Sequence, residues 1–234
     1  VILVAALIVF LPGILSLAAA GMRGLALVAF APIMTTAVVS AGAVALGLLG
    51  IPWALWSVAV VVLVVGALSW GVGRILPLRR HQVSAGSHRW LLPTALVIGA
   101  LIGFWRLGAY LEDPAAISQT NDAVFHLNAL RYILETGSAS SLDVNAVIGA
   151  SGFYPAAWHA LASLIALATS ASIPIAANAL SLVIAGLIWP LGIAWLARAV
   201  SGSHTVAAYA AVLSGALQAF PLLLLQWGVL YPNA

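Results

Sequence analysis

The sequence predicts an all-α, polytopic membrane protein: a transmembrane helical bundle with an amphipathic helix in an extracytoplasmic loop. Of its 234 residues, 64% are hydrophobic and only 6% are charged, whereas a soluble domain carries about 25% charged residues. The apolar residues form continuous runs of about 20, the length that crosses a bilayer as a helix. Transmembrane β-strands would show short alternating segments instead. We expect six or seven spans in a plasma-membrane protein.

Residue types that the chain lacks exclude several kinds of chemistry. There is no Cys, which excludes disulfides, thiol chemistry and Cys-ligated zinc. All eight cationic residues are Arg, so a Schiff-base lysine and a P-loop lysine are excluded as well. The arginines are scattered along the chain, and we therefore attribute the net charge of +3 to membrane topology rather than to nucleic-acid binding.

Residues 1–89 are predicted to form an N-terminal module of three spans that ends in a cytoplasmic basic loop. The apolar runs are 1–20, which Pro12 and Gly13 interrupt, 25–50 and 51–73. Trp53 and Trp56, at the start of the third run, are predicted to anchor it at the membrane interface. Segment 74–89 contains four arginines and no acid, which indicates the cytoplasmic side by the positive-inside rule. Counting back across two spans places Arg23 there too.

Residues 90–234 are predicted to form a second part, with an outer loop at 110–154. Its apolar runs are 90–110, 155–169, 175–200 and 206–227. Run 155–169 is short for a span. If Arg198 is cytoplasmic, which we favour, this run returns to the outer face or re-enters; if the run crosses fully, Arg198 is outside. The chain starts without Met and stops just after an apolar run, so we expect it to be a portion of a longer protein.

The outer loop concentrates the acidic residues. All five lie between positions 112 and 143, and ionisable groups are costly inside a bilayer. Ser118 or Thr120 is a predicted N-cap for a helix that runs to about Thr136 and ends before Gly137. Its apolar residues share one side, which predicts an amphipathic helix lying at the membrane surface.

Asp122 and His126 are the leading candidates for chemistry. At i, i+4 they share one helix face, where a carboxylate and an imidazole can meet one metal ion, phosphate or hydroxyl. His159 adds a second imidazole at the start of the next helix, in the segment 154–159 (Tyr-Pro-Ala-Ala-Trp-His). The pair Asp122 and His126, joined by His159 if the loop folds back, is a candidate site for a divalent cation. The alternative is an exposed amphipathic helix whose polar face touches lipid headgroups.

Arg106 and Arg131 are the candidate ligands of an anionic group. Arg106 lies about one turn from the outer end of the fourth span, from which its side chain can reach the interface. Arg131 carries a planar cation suited to phosphate. Its alternative is a local salt bridge with Glu135 at i+4.

The order of these motifs resembles the N-terminal core of GT-C-type membrane glycosyltransferases, such as the protein O-mannosyltransferases and the aminoarabinose transferases. The match covers about 90–233. The chain more closely resembles a family of large multi-spanning actinobacterial membrane proteins with an aspartate-histidine outer loop and a Tyr-Pro-x-x-Trp-His motif.

The resemblance implies that Asp122 is the catalytic base and that His126 and His159 assist it. It also implies that Tyr154 and Trp158, together with Arg131 or Arg106, lie near the donor phosphate. The implied donor is a polyprenyl-phosphate sugar, and the acceptor is a glycan or a lipid of the cell envelope.

The sequence is also compatible with two other functions. One is a non-catalytic membrane scaffold or assembly subunit that docks a partner through the outer loop. The other is a transporter, which requires a polar path through the spans; Arg106, Gln218 and Gln226 are the candidates for it. The span centres carry almost no ionisable residue, which argues against an ion-coupled carrier.

Overall fold

The computed structural model describes residues 1–76, 90–217, 220 and 223, and within them every regular element is helical. Five of the described segments are long and apolar enough to cross a membrane. The prediction of an all-α membrane-embedded bundle is confirmed. The basic loop after residue 76, together with Gln218 and Gln226, lies outside the described residues.

In chain order the elements are α1 (Ile2–Ala19), α2 (Gly24–Leu48), α3 (Leu55–Ile75), α4 (Leu91–Leu111), α5 (Asn121–Thr136), a 3-10 helix (Val144–Ile148), α6 (Ala157–Thr169), α7 (Ile173–Val183), a π-helical stretch (Ile184–Ile188), α8 (Trp189–Ser201) and α9 (His204–Ala216).

Helix packing gives the bundle two ends of different charge. Gly73, near the end of α3, lies against the backbone of Ala20 at the end of α1. Phe30, early in α2, packs edge-on against Trp195 in the second half of α8, with ring centroids 4.5 Å apart. The α1–α2 turn and the C-terminal ends of α3 and α8 therefore share one end, which we call the basic end because it carries Arg23, Arg74 and Arg198. The opposite end holds α5 and all five acidic residues, since Gly137 after α5 is hydrogen-bonded to Trp53 before α3 and Gly47 near the end of α2 lies against Ser140; we call it the acidic end.

Helix α6 does not cross the bundle. It has 13 residues, about 20 Å of helix, against a hydrocarbon core of about 30 Å. The Ser163 hydroxyl accepts a 3.0 Å hydrogen bond from the indole of Trp53, which precedes α3 at the acidic end. Only three residues separate α6 from α7, and Asn178 in α7 donates to the carbonyls of Pro114 and Ala116 just after α4. Both ends of α6 therefore lie toward the acidic end, and α7 and α8 then run as one span to the basic end. Arg198 and Arg23 share an end, as predicted.

Trp53 is not an interfacial anchor, and that prediction was wrong. Its side chain is only 5% exposed, and its backbone N–H donates to the Gly137 carbonyl at 2.7 Å. Trp53 thereby ties the start of α3 to the end of α5 and to α6. Trp56 is 60% exposed, as an anchor requires. The last predicted run also differs, because α9 ends at Ala216 and Leu217 is extended.

Pro12 does not interrupt α1, which is continuous from Ile2 to Ala19. Proline and glycine are tolerated in membrane helices where a neighbouring side chain satisfies the freed backbone group. Here the Gly13 N–H donates to the buried Thr35 hydroxyl of α2 at 2.9 Å. A Cβ atom on Gly13 would overlap the carbonyl oxygen of Ala31, so the glycine lets the two backbones approach closely.

Gly13→Ala is expected to lower the apparent melting temperature by roughly 2–10 °C, because overpacking costs about 1–3 kcal/mol. Thermal unfolding of the detergent-solubilised protein, followed by tryptophan fluorescence, measures this change. The matched control is Gly66→Ala in α3, where an added Cβ meets no heavy atom within 4 Å. It should leave the melting temperature unchanged or raise it slightly, since Ala favours a helix over Gly. Equal effects of the two substitutions would contradict the packing described for α1 and α2.

Candidate functional site

Helix α5 begins and ends at the capping residues that the sequence predicts. The Thr120 hydroxyl accepts a hydrogen bond from the Ala123 N–H at 3.3 Å, which satisfies one of the free donors of the first turn. Gly137 ends the helix in the left-handed conformation, with φ of 69°, which glycine adopts without a steric penalty. One face of α5 is buried, including Ala129, Leu130 and Ile133. This face packs on α6 and holds the helix over the acidic end.

Two buried histidines join α5 to α6. His126 Nδ1 and His159 Nε2 are 3.0 Å apart, and the two side chains are 5% and 0% exposed. One nitrogen donates and the other accepts, according to the tautomers. Aromatic rings of Phe125, Tyr154 and Trp158 surround the pair, with centroids 5.5 Å (Phe125–His126), 5.8 Å (Tyr154–His159) and 5.3 Å (Trp158–His159) apart.

Burial keeps the histidine pair neutral. Desolvation lowers the pKa of His126, and the nearby charge of Asp122 opposes that shift. Desolvation, with a smaller contribution from His126, lowers the pKa of His159 to about 3. His159 Nδ1 is also buried and has no hydrogen-bond partner among the described residues. Both imidazoles are therefore neutral at pH 7, and neither cancels the charge of a carboxylate beside it.

Asp122 is exposed and lies on α5 one helical turn before His126. Its charge acts on two neighbours. Besides its effect on His126, it raises the pKa of Tyr154, for which desolvation is the larger cause. The structure thus brings Asp122 and His126 of α5 together with Tyr154 and His159 from a distant segment, with Trp158 in the wall of the same cluster.

The two predicted anion ligands lie apart from this cluster. Arg131 Nε donates to Glu135 at 2.7 Å, and the two side chains are 67% and 61% exposed. The hydrogen bond and charge of Glu135 raise the pKa of Arg131. Arg106 donates to the carbonyls of Gly215 and Leu217 at 2.9 and 2.6 Å. It therefore caps the C-terminal end of α9, where helix carbonyls lack intrahelical partners.

Asp122 and His126 do not form a complete metal site by themselves. Metal sites in proteins usually draw three or four ligands from side chains. Among the described residues, no group of three or more His, Asp or Glu side chains is placed to hold a metal ion, and His126 Nδ1 already faces His159. The divalent cation stays a prediction.

A groove beside α5 is the part of the site that sequence reasoning missed. Its volume is about 630 Å³. The α5 residues that line it recur at helical spacing, a signal that was present in the sequence. The opposite wall comes from the 3-10 helix, which no local pattern places there. The lining residues are Asn121, Val124, Phe125, Asn128, Arg131, Tyr132, Glu135, Val147 and Ile148.

This chain matches the model of a known protein family. Residues 6–234 match the model of a family described as "Family of unknown function (DUF6541)". The chain belongs to this family. No curated protein and no solved structure matches the chain. The family's description names no activity.

The buried histidines predict acid sensitivity in this DUF6541 protein. A histidine whose pKa is depressed by folding binds its proton in the unfolded state first, so stability falls as pH drops below about 6.5 and continues to fall toward the folded pKa. For His159, with a folded pKa of about 3, lowering the pH from 7.5 to 5 should cost on the order of 2 kcal/mol. Apparent melting temperatures across this range measure it.

His159→Gln should flatten this pH dependence, because an amide does not titrate and can still hydrogen-bond to His126. The control is His204→Gln at the start of α9, remote from the pair, which should keep the wild-type slope. A wild-type slope in His159→Gln would show that the acid sensitivity does not come from His159.

Proposed function

We propose that this protein is a membrane-embedded glycosyltransferase that transfers a sugar from a polyprenyl-phosphate donor, with Asp122 as general base. One observation carries the proposal: an exposed carboxylate lies one helical turn before a buried, neutral, aromatic-walled histidine pair at one end of a membrane bundle, and its charge acts on His126 and Tyr154. The sugar donor follows from the resemblance of segment 90–233 to GT-C-type enzymes. A glycan or lipid of the cell envelope is the acceptor.

Asp122 takes the proton in the proposed reaction. An acceptor hydroxyl oxygen attacks the anomeric carbon of the donor sugar and forms the new glycosidic bond. The bond from that carbon to the phosphate oxygen breaks, and its electron pair stays on the phosphate. The hydroxyl proton passes to the Asp122 carboxylate, a step that contributes typically 10²–10⁴-fold in rate.

The histidine pair acts as a positioning unit for this base. A protonated His126 would pair with Asp122 and weaken it as a proton acceptor. Burial favours the neutral imidazole instead, so Asp122 keeps its negative charge uncompensated. His159 holds His126 through the 3.0 Å contact, and Tyr154 packs against Phe125 beside both, with ring centroids 4.8 Å apart.

We place the acidic end on the extracytoplasmic side of the plasma membrane. Arg23, Arg74 and Arg198 lie at the opposite end, and the segment between α3 and α4 adds three more arginines in sequence. Arginines concentrated in short loops mark the cytoplasmic side. The carboxylate and the groove would then face the envelope, where the acceptor is.

Cysteine labelling tests this orientation without background, because the chain contains no Cys. Ser151→Cys, exposed before α6, and Ser201→Cys, exposed at the end of α8, form a matched pair. A membrane-impermeant maleimide should label Ser151→Cys in intact cells and Ser201→Cys only after permeabilisation. The reverse pattern would place the acidic end in the cytoplasm and exclude the proposed location.

Asp122→Asn is expected to reduce transfer by about 10²–10⁴-fold, since the amide cannot accept the hydroxyl proton. The measurement is the envelope sugar composition of cells whose only copy of the gene carries the substitution, at equal protein level in the membrane. Asp113→Asn is the matched control, because Asp113 is also exposed at the acidic end and its Oδ1 accepts from Ala115 N–H, a role that asparagine can keep.

Unchanged sugar composition in Asp122→Asn, at normal protein level, would refute the catalytic role. Loss of sugar in both variants would indicate a general defect of the outer loop. That second result would favour a docking scaffold over an enzyme.

A further inference from the structure

The groove beside α5 runs along the helix for most of its length. Its α5 residues extend from Asn121 to Glu135, about 21 Å at 1.5 Å per residue. Its volume of about 630 Å³ lies within the range of about 300–1,000 Å³ typical of small-molecule sites. The groove is thus longer than one sugar ring and suits a short linear molecule.

The charges of the groove cancel. Arg131 and Glu135 are the ionisable side chains among the described lining residues apart from the Tyr132 phenol, and they bind each other at 2.7 Å. A phosphate that approached the remaining N–H donors of Arg131 would also meet the negative charge of Glu135, which Arg131 Nε already binds. Hydroxyl groups can bond to both partners without separating them, because a hydroxyl donates and accepts.

The remaining lining consists of two amides, two aromatic side chains and the aliphatic side chains of Val124, Val147 and Ile148. Asn121 and Asn128 offer both donors and acceptors; Asn128 uses its NH₂ group to donate to the Val124 carbonyl at 2.8 Å, which leaves its carbonyl oxygen as an acceptor toward a ligand. Phe125 and Tyr132 supply ring faces, whose negative charge attracts the C–H bonds of a sugar ring. This combination matches a neutral polyhydroxylated ligand.

Phe125 connects the groove to the proposed catalytic site. It lines the groove and also packs against His126, His159 and Tyr154, with centroids 5.5, 6.3 and 4.8 Å apart. Asn121, at one end of the groove, and Asp122 share the first turn of α5, and Phe125 packs against His126 one turn later. A molecule lying in the groove can therefore present a hydroxyl group at its Asn121 end to the carboxylate.

We infer that the groove is the acceptor subsite and that it binds a neutral glycan whose terminal hydroxyl reaches Asp122. The assignment of this ligand as acceptor rests on the proposed glycosyl transfer; the carbohydrate specificity rests on the groove itself. Arg131 accordingly binds the acceptor, in company with Glu135, rather than the donor phosphate.

Saturation-transfer NMR on the full chain in lipid nanodiscs tests the inference. The probes are linear trisaccharides of glucose, mannose and galactose, and inorganic pyrophosphate serves as the competing anion. The variants are Asn128→Leu and Tyr132→Ala, both at solvent-accessible positions of the groove face. Gln119→Leu is the matched control: it also replaces an exposed amide by leucine at the acidic end, outside the groove.

At least one trisaccharide should show saturation transfer. Asn128→Leu and Tyr132→Ala should each weaken its binding by about fivefold or more, as expected for loss of one hydrogen bond or ring contact. Gln119→Leu should bind like the wild type, and pyrophosphate should not displace the sugar. Absence of transfer from all three sugars, undiminished binding in both groove variants, or displacement by pyrophosphate would each overturn the inference.

Asp122→Asn separates this inference from the proposed catalysis. The variant should still show saturation transfer from the trisaccharide, because the groove residues are unchanged and the asparagine amide can hydrogen-bond to the terminal hydroxyl in place of the carboxylate. Sugar binding together with an unchanged envelope in Asp122→Asn would overturn the catalytic role and keep the carbohydrate site. Loss of envelope sugar in Asp122→Asn without any trisaccharide binding would overturn the acceptor subsite alone.

Discussion

The contact between His126 and His159 is the interaction on which the acidic end depends. It connects α5 to α6 and joins residues 33 positions apart in the chain. Burying two imidazoles without such a partner would cost free energy, because their polar nitrogens would lose hydrogen bonds to water without replacing them. The contact therefore sets α5 in place over α6 and leaves Asp122 exposed above a neutral pair. Trp53 reinforces the same junction, since its indole binds Ser163 one turn further along α6.

The bilayer imposes a second constraint, which explains several polar residues within the apolar helices. Backbone groups that lose their helical partner must find another inside the protein, because lipid offers none. Thr35 meets this need for Gly13, and Asn178 meets it for the turn after α4. Arg106 does the same for the last carbonyls of α9. An arginine near a span end thus has a structural role here, separate from the cluster around Asp122.

Electrostatics divide the acidic end into two neighbouring environments. Around Asp122 the neighbours are neutral imidazoles and aromatic rings, so the carboxylate charge is not cancelled. Along the groove, Arg131 and Glu135 cancel each other. The base-assisted transfer proposed above uses both environments, the carboxylate as proton acceptor and the groove as acceptor site, and Phe125 contacts both of them.

Composition alone determined the membrane class, because 6% charged residues cannot cover a soluble surface. Local signals determined α5, since the Thr120 cap and the Gly137 stop act within one turn of the helix ends, and its i, i+4 spacing put Asp122 and His126 on one face. Only the tertiary structure decided that His159 meets His126, that Trp53 is buried against Ser163, that α6 turns back, and that the 3-10 helix forms the second wall of the groove. These contacts join residues distant in the chain, and no periodicity within a single helix specifies which distant segment will cover its buried face.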